Sequence, residues 1–378
     1  MPDAVVCWQS ASLANRAPIS VARAFGIRTL IFVNGPTFSR SAIGDIDESE
    51  NWSELINLIE AQPGFKLDAN ARKLALDHVD EVLKVHAQFR PRETPILPRG
   101  VFKPIVTSWT RKAANASGPD ERRFPAVLEW KLYWERIIWS LKDRAGLLPY
   151  SNLQLAERYV YFPMQNLADV KLTGRNPVYA DQVALAEQIA LSMRPGLKLY
   201  VREHPNHPGM YDVARLKRLA RDPMVRLIHP HESNIDLIRH ATAVVCVNST
   251  AGWEAYLSQV PVVVLGNPFF RRSRLVFGVD NLNDLSRLIR RAVDEGRRLY
   301  AERQNEWLWF IWAALVTCSP GYPFGYKVIF GAVPKQDPVV NGRLIGEALL
   351  ARLLPWSRHP DLAPGGLVRG AEGWPVEG

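Results

Sequence analysis

From Tyr159 onward the chain alternates two kinds of segment. Short apolar runs at 159–162, 197–201, 225–228, 243–247 and 261–265 are separated by helix-length segments at 179–193, 211–221, 233–239 and about 250–258, and a further helix is expected at 282–296. A strand with one wet face alternates polar and apolar residues, whereas AVVCV and PVVVLG are almost continuously apolar. Runs of that kind suit strands buried on both faces. Strands alternating with helices predict a parallel sheet with helices on each side. The amino-terminal end carries one shorter version. The runs 4–8 (AVVCW) and 28–33 (RTLIFV) flank a helix-like stretch from Asn15 to Phe25, closed by Gly26. That β-α-β pattern predicts two parallel strands. Asn34-Gly35-Pro36 then breaks the second one.

The regions between are less regular. Residues 52–90 read as helical, 91–125 as a loop rich in Pro, Gly and basic residues, and 126–148 as an amphipathic helix ended by Pro149. A length of 378 residues suggests about two domains. The expected division is a reduced, helix-rich domain over 1–148, a second domain over 149–305, a trailing helical segment over 306–354 and a mobile Gly- and Pro-rich tail over 355–378. No internal repeat is visible.

Composition narrows the function classes. Hydrophobic residues make up 47% and charged residues 22%, which excludes a disordered chain. Three separated cysteines, Cys7, Cys246 and Cys318, exclude a disulfide scaffold and fit a reducing, cytoplasmic setting. The start MPDAVVCWQSASLANR lacks the apolar core of a signal peptide. The segment Trp307 to Val316 (WLWFIWAALV) is too short to span a bilayer, which needs about 20 residues. It reads as a buried helix, or else as one lying on a membrane surface with its Trp side chains at the interface. The net charge of +9 suits anionic partners, including an anionic membrane surface. No basic motif interleaved with aromatics points to nucleic acid.

The strongest chemical signal is Val245-Cys246-Val247-Asn248-Ser249-Thr250-Ala251-Gly252-Trp253-Glu254-Ala255. A buried strand runs through Asn248-Ser249-Thr250 into a helix. Ser249 or Thr250 can cap that helix, whose free N–H groups and positive dipole end suit a phosphate. Gly252 allows close approach of a ligand or of neighbouring backbone. Glu254 can accept from ribose hydroxyls or complete a capping box. In open α/β sheets ligands sit at the carboxyl ends of strands. Three more polar turns fall there. They are Arg202-Glu203-His204-Pro205, where His204 can donate to a base carbonyl or a phosphate; Pro163-Met164-Gln165, where Gln165 suits an amide edge or hydroxyl; and Gly266-Asn267-Pro268. No metal site is expected, because the His204/His207 and His229/His231 pairs lack further ligands at suitable spacing. With no P-loop lysine and no GxGxxG, no cofactor is expected either.

The run from Ile235 to Phe270 resembles the capsular polysaccharide synthesis/export glycosyltransferases. They share an S-T/L-x-G-x-E-A turn, a Pro-Val strand and G-x-P-F/Y. VREHP is similar to that family's K-x-HP, with Arg202 where Lys is common, and YVYFPMQ to its F-P-L-Q. The resemblance covers roughly residues 155–275. It implies a GT-B-like α/β fold, with two Rossmann-like domains built on parallel sheets and a cleft between them. The first domain would be the acceptor side. The family's best-understood members transfer 3-deoxy-manno-octulosonate (Kdo) from a CMP-sugar. By resemblance, His204 and Glu254 contact the nucleotide, while Ser249 and Thr250 hold the phosphate. Gln165, Arg202, Asn248 and Gly252 complete the donor-site set.

The first half matches less. Family members carry F-E-x-G at the end of an early strand, whereas this chain has Phe32-Val33-Asn34-Gly35. An inverting, metal-independent transferase needs a general base, and Asp45 or Asp47 in the following loop is the candidate. The expected acceptor is a lipid-linked or oligosaccharide glycan at the inner membrane face. Two alternatives are a non-catalytic export or scaffold protein that keeps the fold, and a transferase or epimerase that uses a UDP-sugar.

Overall fold

The computed structural model describes residues 2–8, 13–36, 40–44, 52–61, 66–88, 137–167, 169–205, 208–321 and 338–353. The loop expected over 91–125, residues 126–136 of the expected helix, and the tail from 355 lie outside them. The first elements are β1 (Ala4–Trp8), α1 (Leu13–Ala24), β2 (Arg28–Asn34), β3 (Arg40–Gly44), α2 (Ser53–Ala61) and α3 (Ala69–Gln88). The alternating half supplies β4 (Tyr159–Pro163), α4 (Gln182–Ser192), β5 (Lys198–Arg202), α5 (Val213–Leu219), β6 (Val225–Ile228) and α6 (Asn234–His240). It continues with β7 (Ala243–Cys246), α7 (Thr250–Leu257), β8 (Val262–Val264), β9 (Val276–Gly278) and α8 (Leu285–Glu302). Last come α9 (Gln304–Val316), β10 (Ser319–Pro320) and α10 (Pro338–Leu353).

The strands form two sheets. The larger has the order β6-β5-β4-β7-β8-β9, and every pairing in it is parallel. Both of its faces are covered, and side chains alternate between them as a pleat requires. Val160, Phe162, Leu199, Val201 and Val245 pack with α4, α5 and α8, while Tyr159, Tyr161, Tyr200, Val244 and Cys246 pack with α6, α7 and α9. This two-sided burial is why the runs are apolar throughout. Helix starts follow local chemistry. Asp181, Asp212, Ser233 and Ser249 cap α4, α5, α6 and α7 by accepting from the backbone N–H two or three residues further on.

The smaller sheet has the order β1-β2-β3-β10. β1 and β2 are parallel, as the β-α-β pattern predicts, with Ala4 opposite Arg28. This sheet is nonetheless mixed, because β3 runs antiparallel to β2 and β10 antiparallel to β3. The strands missed from sequence, β3, β9 and β10, are five, three and two residues long. Their sequences, RSAIG, VFG and SP, lack the continuous apolar run that marks the others.

The final third returns to the beginning. After α8, the chain breaks at Arg303 and α9 packs against α3 and α2. β10 then joins the smaller sheet. On α10, Ala348 packs with Phe32 and Ile43, and Arg352 forks onto Glu54 at 2.9 and 3.1 Å. The segment read as trailing is therefore built into the amino-terminal unit. On α9, Trp307, Leu308, Trp309, Phe310, Ile311 and Leu315 are buried, and Trp307 Nε1 donates to the Tyr256 carbonyl at 3.0 Å. A helix resting on a membrane keeps one face free. This one is enclosed, which overturns the membrane-surface reading of WLWFIWAALV. Among the described residues no helix is long and apolar enough to cross a membrane.

Candidate functional site

In the larger sheet the chain builds outward from β4 through β5 to β6. It then crosses back to place β7, β8 and β9 on the other side of β4. The direction of winding reverses between β4 and β7, and their carboxyl ends flank the crevice where open α/β sheets bind ligands. Gln165 follows β4 and Asn248 follows β7. They are tied together: Gln165 Nε2 donates to the Asn248 carbonyl at 3.2 Å, and the Asn248 N–H donates to Gln165 Oε1 at 3.0 Å. The amide thus acts as an extra rung between diverging strands. The Gln165 backbone is held as well, since its N–H donates to Gln182 Oε1 and its carbonyl accepts from the Tyr211 hydroxyl at 2.7 Å. Expected from sequence to meet a ligand edge, Gln165 spends its amide on the Asn248 turn.

That turn delivers the chain into α7. Ser249 is the cap, its Oγ accepting from the Ala251 N–H at 3.2 Å, and Thr250 is exposed in the first turn. The positive end of α7 therefore opens at the winding reversal. Gly252 faces protein. A Cβ there would lie 2.5 Å from Cys246 Sγ and 2.7 Å from Phe270 Cζ, so its absence lets α7 press onto β7 and the Phe269-Phe270 turn.

Glu254, one turn further, is buried and doubly held. Its Oε1 lies 2.5 Å from His86 Nδ1, and its Oε2 accepts from Asn234 Nδ2 at 2.5 Å. Asn234 Oδ1 in turn accepts from the Tyr161 hydroxyl at 2.7 Å and from Arg202 Nη1 at 3.2 Å. Arg202 is buried, and its Nη2 donates to the Pro230 carbonyl at 2.7 Å. One network therefore links α3, α7, α6, β4 and β5. It unites the predicted Arg202 and Glu254 with three residues the sequence reading did not select: His86, Asn234 and Tyr161. No spacing in the sequence connects His86 with Glu254.

Beside Arg202, Glu203 turns inward. It accepts from the Tyr150 hydroxyl at 2.6 Å and from the Gly209 N–H at 3.1 Å. Burial pushes its carboxyl up from the ordinary value. Trp139 Nε1 donates to the same Tyr150 hydroxyl, and the Trp139 ring packs on His229 and His231. Of the VREHP segment, His204 is left half-buried while Arg202 and Glu203 are interior. In the smaller sheet Val33 is fully buried on β2. Asp45, Asp47 and His207 lie outside the described residues. Among the described residues no three His, Cys, Asp or Glu side chains group as a metal ion requires.

Residues 141–278 match the family described as "Capsule polysaccharide biosynthesis protein". The chain is 28% identical over 149 residues to the capsule polysaccharide export protein KpsS of Escherichia coli, covering 37% of this chain and 38% of that one. It is 27% identical over 175 residues to protein FixF of Sinorhizobium fredii (strain NBRC 101917 / NGR234), covering 46% and 42%. The chain thus matches less than half the length of these curated relatives. Among solved structures it is similar to Thermosulfurimonas dismutans KpsC, beta Kdo 2,4 transferase, at 14% identity and a TM-score of 0.46, covering 91% of this chain and 87% of that one. Residues 141–278, which hold the β4–β7 crevice and the Asn-Ser-Thr turn, are thus similar to the capsule polysaccharide biosynthesis proteins.

Proposed function

We propose that the chain is a glycosyltransferase of capsule or surface polysaccharide assembly that draws its sugar from a CMP-activated donor, with Kdo as the sugar. The observation that carries this reading is the capped amino end of α7 opening at the winding reversal of a parallel sheet. In this reading, Ser249, Thr250 and the α7 dipole receive the donor phosphate, and His204 donates to a phosphate oxygen or to the base. Glu254 accepts from the ribose hydroxyls, and Arg202 adds positive charge beside the departing nucleotide. Preorganised donors of this kind lower the cost of the charge that builds up on a leaving phosphate. The transfer is inverting and needs no metal, and Asp45 or Asp47 takes the proton of the acceptor hydroxyl. The acceptor is a lipid-linked or oligosaccharide glycan, met at the cytoplasmic face of the membrane.

A thermal-shift titration with CMP, CDP, UMP, UDP and GDP tests the reading. Selective stabilisation by a cytidine nucleotide that His204→Ala abolishes is the expected result. Stabilisation by UDP instead favours a UDP-sugar donor, and no shift with any nucleotide overturns the proposal. A non-catalytic export role is the second reading. Two observations favour it: a relative is named an export protein, and the buried Val33 stands where the resembling family carries Glu. Asp45→Ala and Asp47→Ala separate the two, because loss of turnover with donor binding intact belongs to an enzyme.

A further inference from the structure

The carboxylate of Glu254 is shared between the two halves of the molecule. Its Oε2 is held from within the larger-sheet unit by Asn234, itself fixed by Tyr161 and Arg202. Its Oε1 is held from outside that unit by His86, near the end of α3. A carboxylate only accepts hydrogen bonds, so the imidazole Nδ1 is the donor. Two donors on two elements leave the side chain one rotamer. A carboxylate offers about four acceptor positions, and these two bonds occupy two of them.

We infer that His86 is a positioning residue. It aims the Glu254 carboxylate for the donor's ribose hydroxyls, so the nucleotide site is complete only when α3 of the amino-terminal unit is docked. This rests on the reading of Glu254 as a donor-site group. Neither partner makes the arrangement alone. Asn234 holds one oxygen and leaves the carboxylate free to swing about it, whereas His86 fixes the second. A side chain from one unit thereby sets nucleotide affinity in the other.

The test measures CMP affinity by calorimetric titration of the full chain in five forms: unaltered, Glu254→Gln, His86→Ala, His86→Asn and the double variant His86→Ala/Glu254→Gln. Glu254→Gln and His86→Ala should each weaken CMP binding by about tenfold, as expected for loss of a charge-assisted hydrogen bond. His86→Asn, which keeps a donor close to the Nδ1 position, should recover most of that loss. The double variant should be no weaker than Glu254→Gln alone, because His86 acts through that carboxylate. If Glu254→Gln weakens binding and His86→Ala does not, the positioning role is overturned while the donor-site reading stands. If His86→Asn is as weak as His86→Ala, the ring contributes packing and the positioning role again fails. If the unaltered protein does not bind CMP, or Glu254→Gln binds it unchanged, the donor-site reading itself has failed. Should His86→Ala not fold, His86→Leu fills the space without a donor and takes its place under the same criteria.

Discussion

At Gly252 one missing methyl group decides how a helix sits. The residue follows a capped turn, and a glycine there suggests room for a ligand, yet the space is filled by Cys246 and Phe270. Gly252→Ala should destabilise the protein by about 1–3 kcal/mol, the usual cost of forcing a methyl group into a packed site. A shift of the urea midpoint at constant slope measures it. Gln165 is similar in kind. Its amide pairs with both backbone groups of Asn248, so Gln165→Leu should cost about 1–3 kcal/mol through the buried groups left unmatched. His78 adds a pH dependence. Burial, reinforced by the nearby Arg40 charge, pushes its imidazole down to about 4 from an ordinary 6.5. The unfolded chain then binds the proton that the folded chain refuses. Stability is complete above pH 6.5 and falls as pH drops toward 4, by up to about 3 kcal/mol. Denaturant titrations at pH 7 and pH 4.5 should show the loss, and His78→Leu should reduce it.

At the scale of elements, α9 is the clearest case. Its apolar run admits two settings, buried or at a membrane surface, and length and composition do not choose between them. The choice comes from α2 and α3 on one side and α7 on the other, which together leave Ile311 without solvent exposure. Ile311→Ala should therefore cost about 2–5 kcal/mol of stability, measured by urea unfolding. In the larger sheet, five of the six strands and the helices between them were legible, because burial on both faces writes itself into each strand locally. The sixth, β9, is VFG at the sheet edge, pairing only with β8, and lacks the run of β-branched apolar residues that marks the three-residue β8.

At the scale of the molecule, the two sheets are held as one body by segments that cross between them. α9 carries the chain from α8 back onto α3, β10 extends the smaller sheet, and Arg352 closes onto Glu54. One hydrophobic cluster includes Val33 and Leu55 from one unit with Tyr256 and Val264 from the other. A shared core predicts a single calorimetric transition for the described body. Cutting the chain after Arg303 should abolish it, because Leu55 and Val79 would lose the cover of α9. Two separate transitions in the intact chain would show that the units fold independently.

What the residues determine locally is the alternating half: strands apolar on both faces, helices begun by Asp and Ser caps, and a Ser-capped turn at a strand end. Each of these depends on neighbours within a few positions, and so the sequence contains it. What the tertiary structure alone decides is which polar groups work together. His86 and Glu254 stand 168 residues apart, and no periodicity or spacing links them. The inward turn of Glu203, the use of Gln165 as a rung and the return of α9 to the amino-terminal unit are of the same kind. They arise when a buried polar group or apolar face must find its partner, and only the folded packing determines which partner lies within reach.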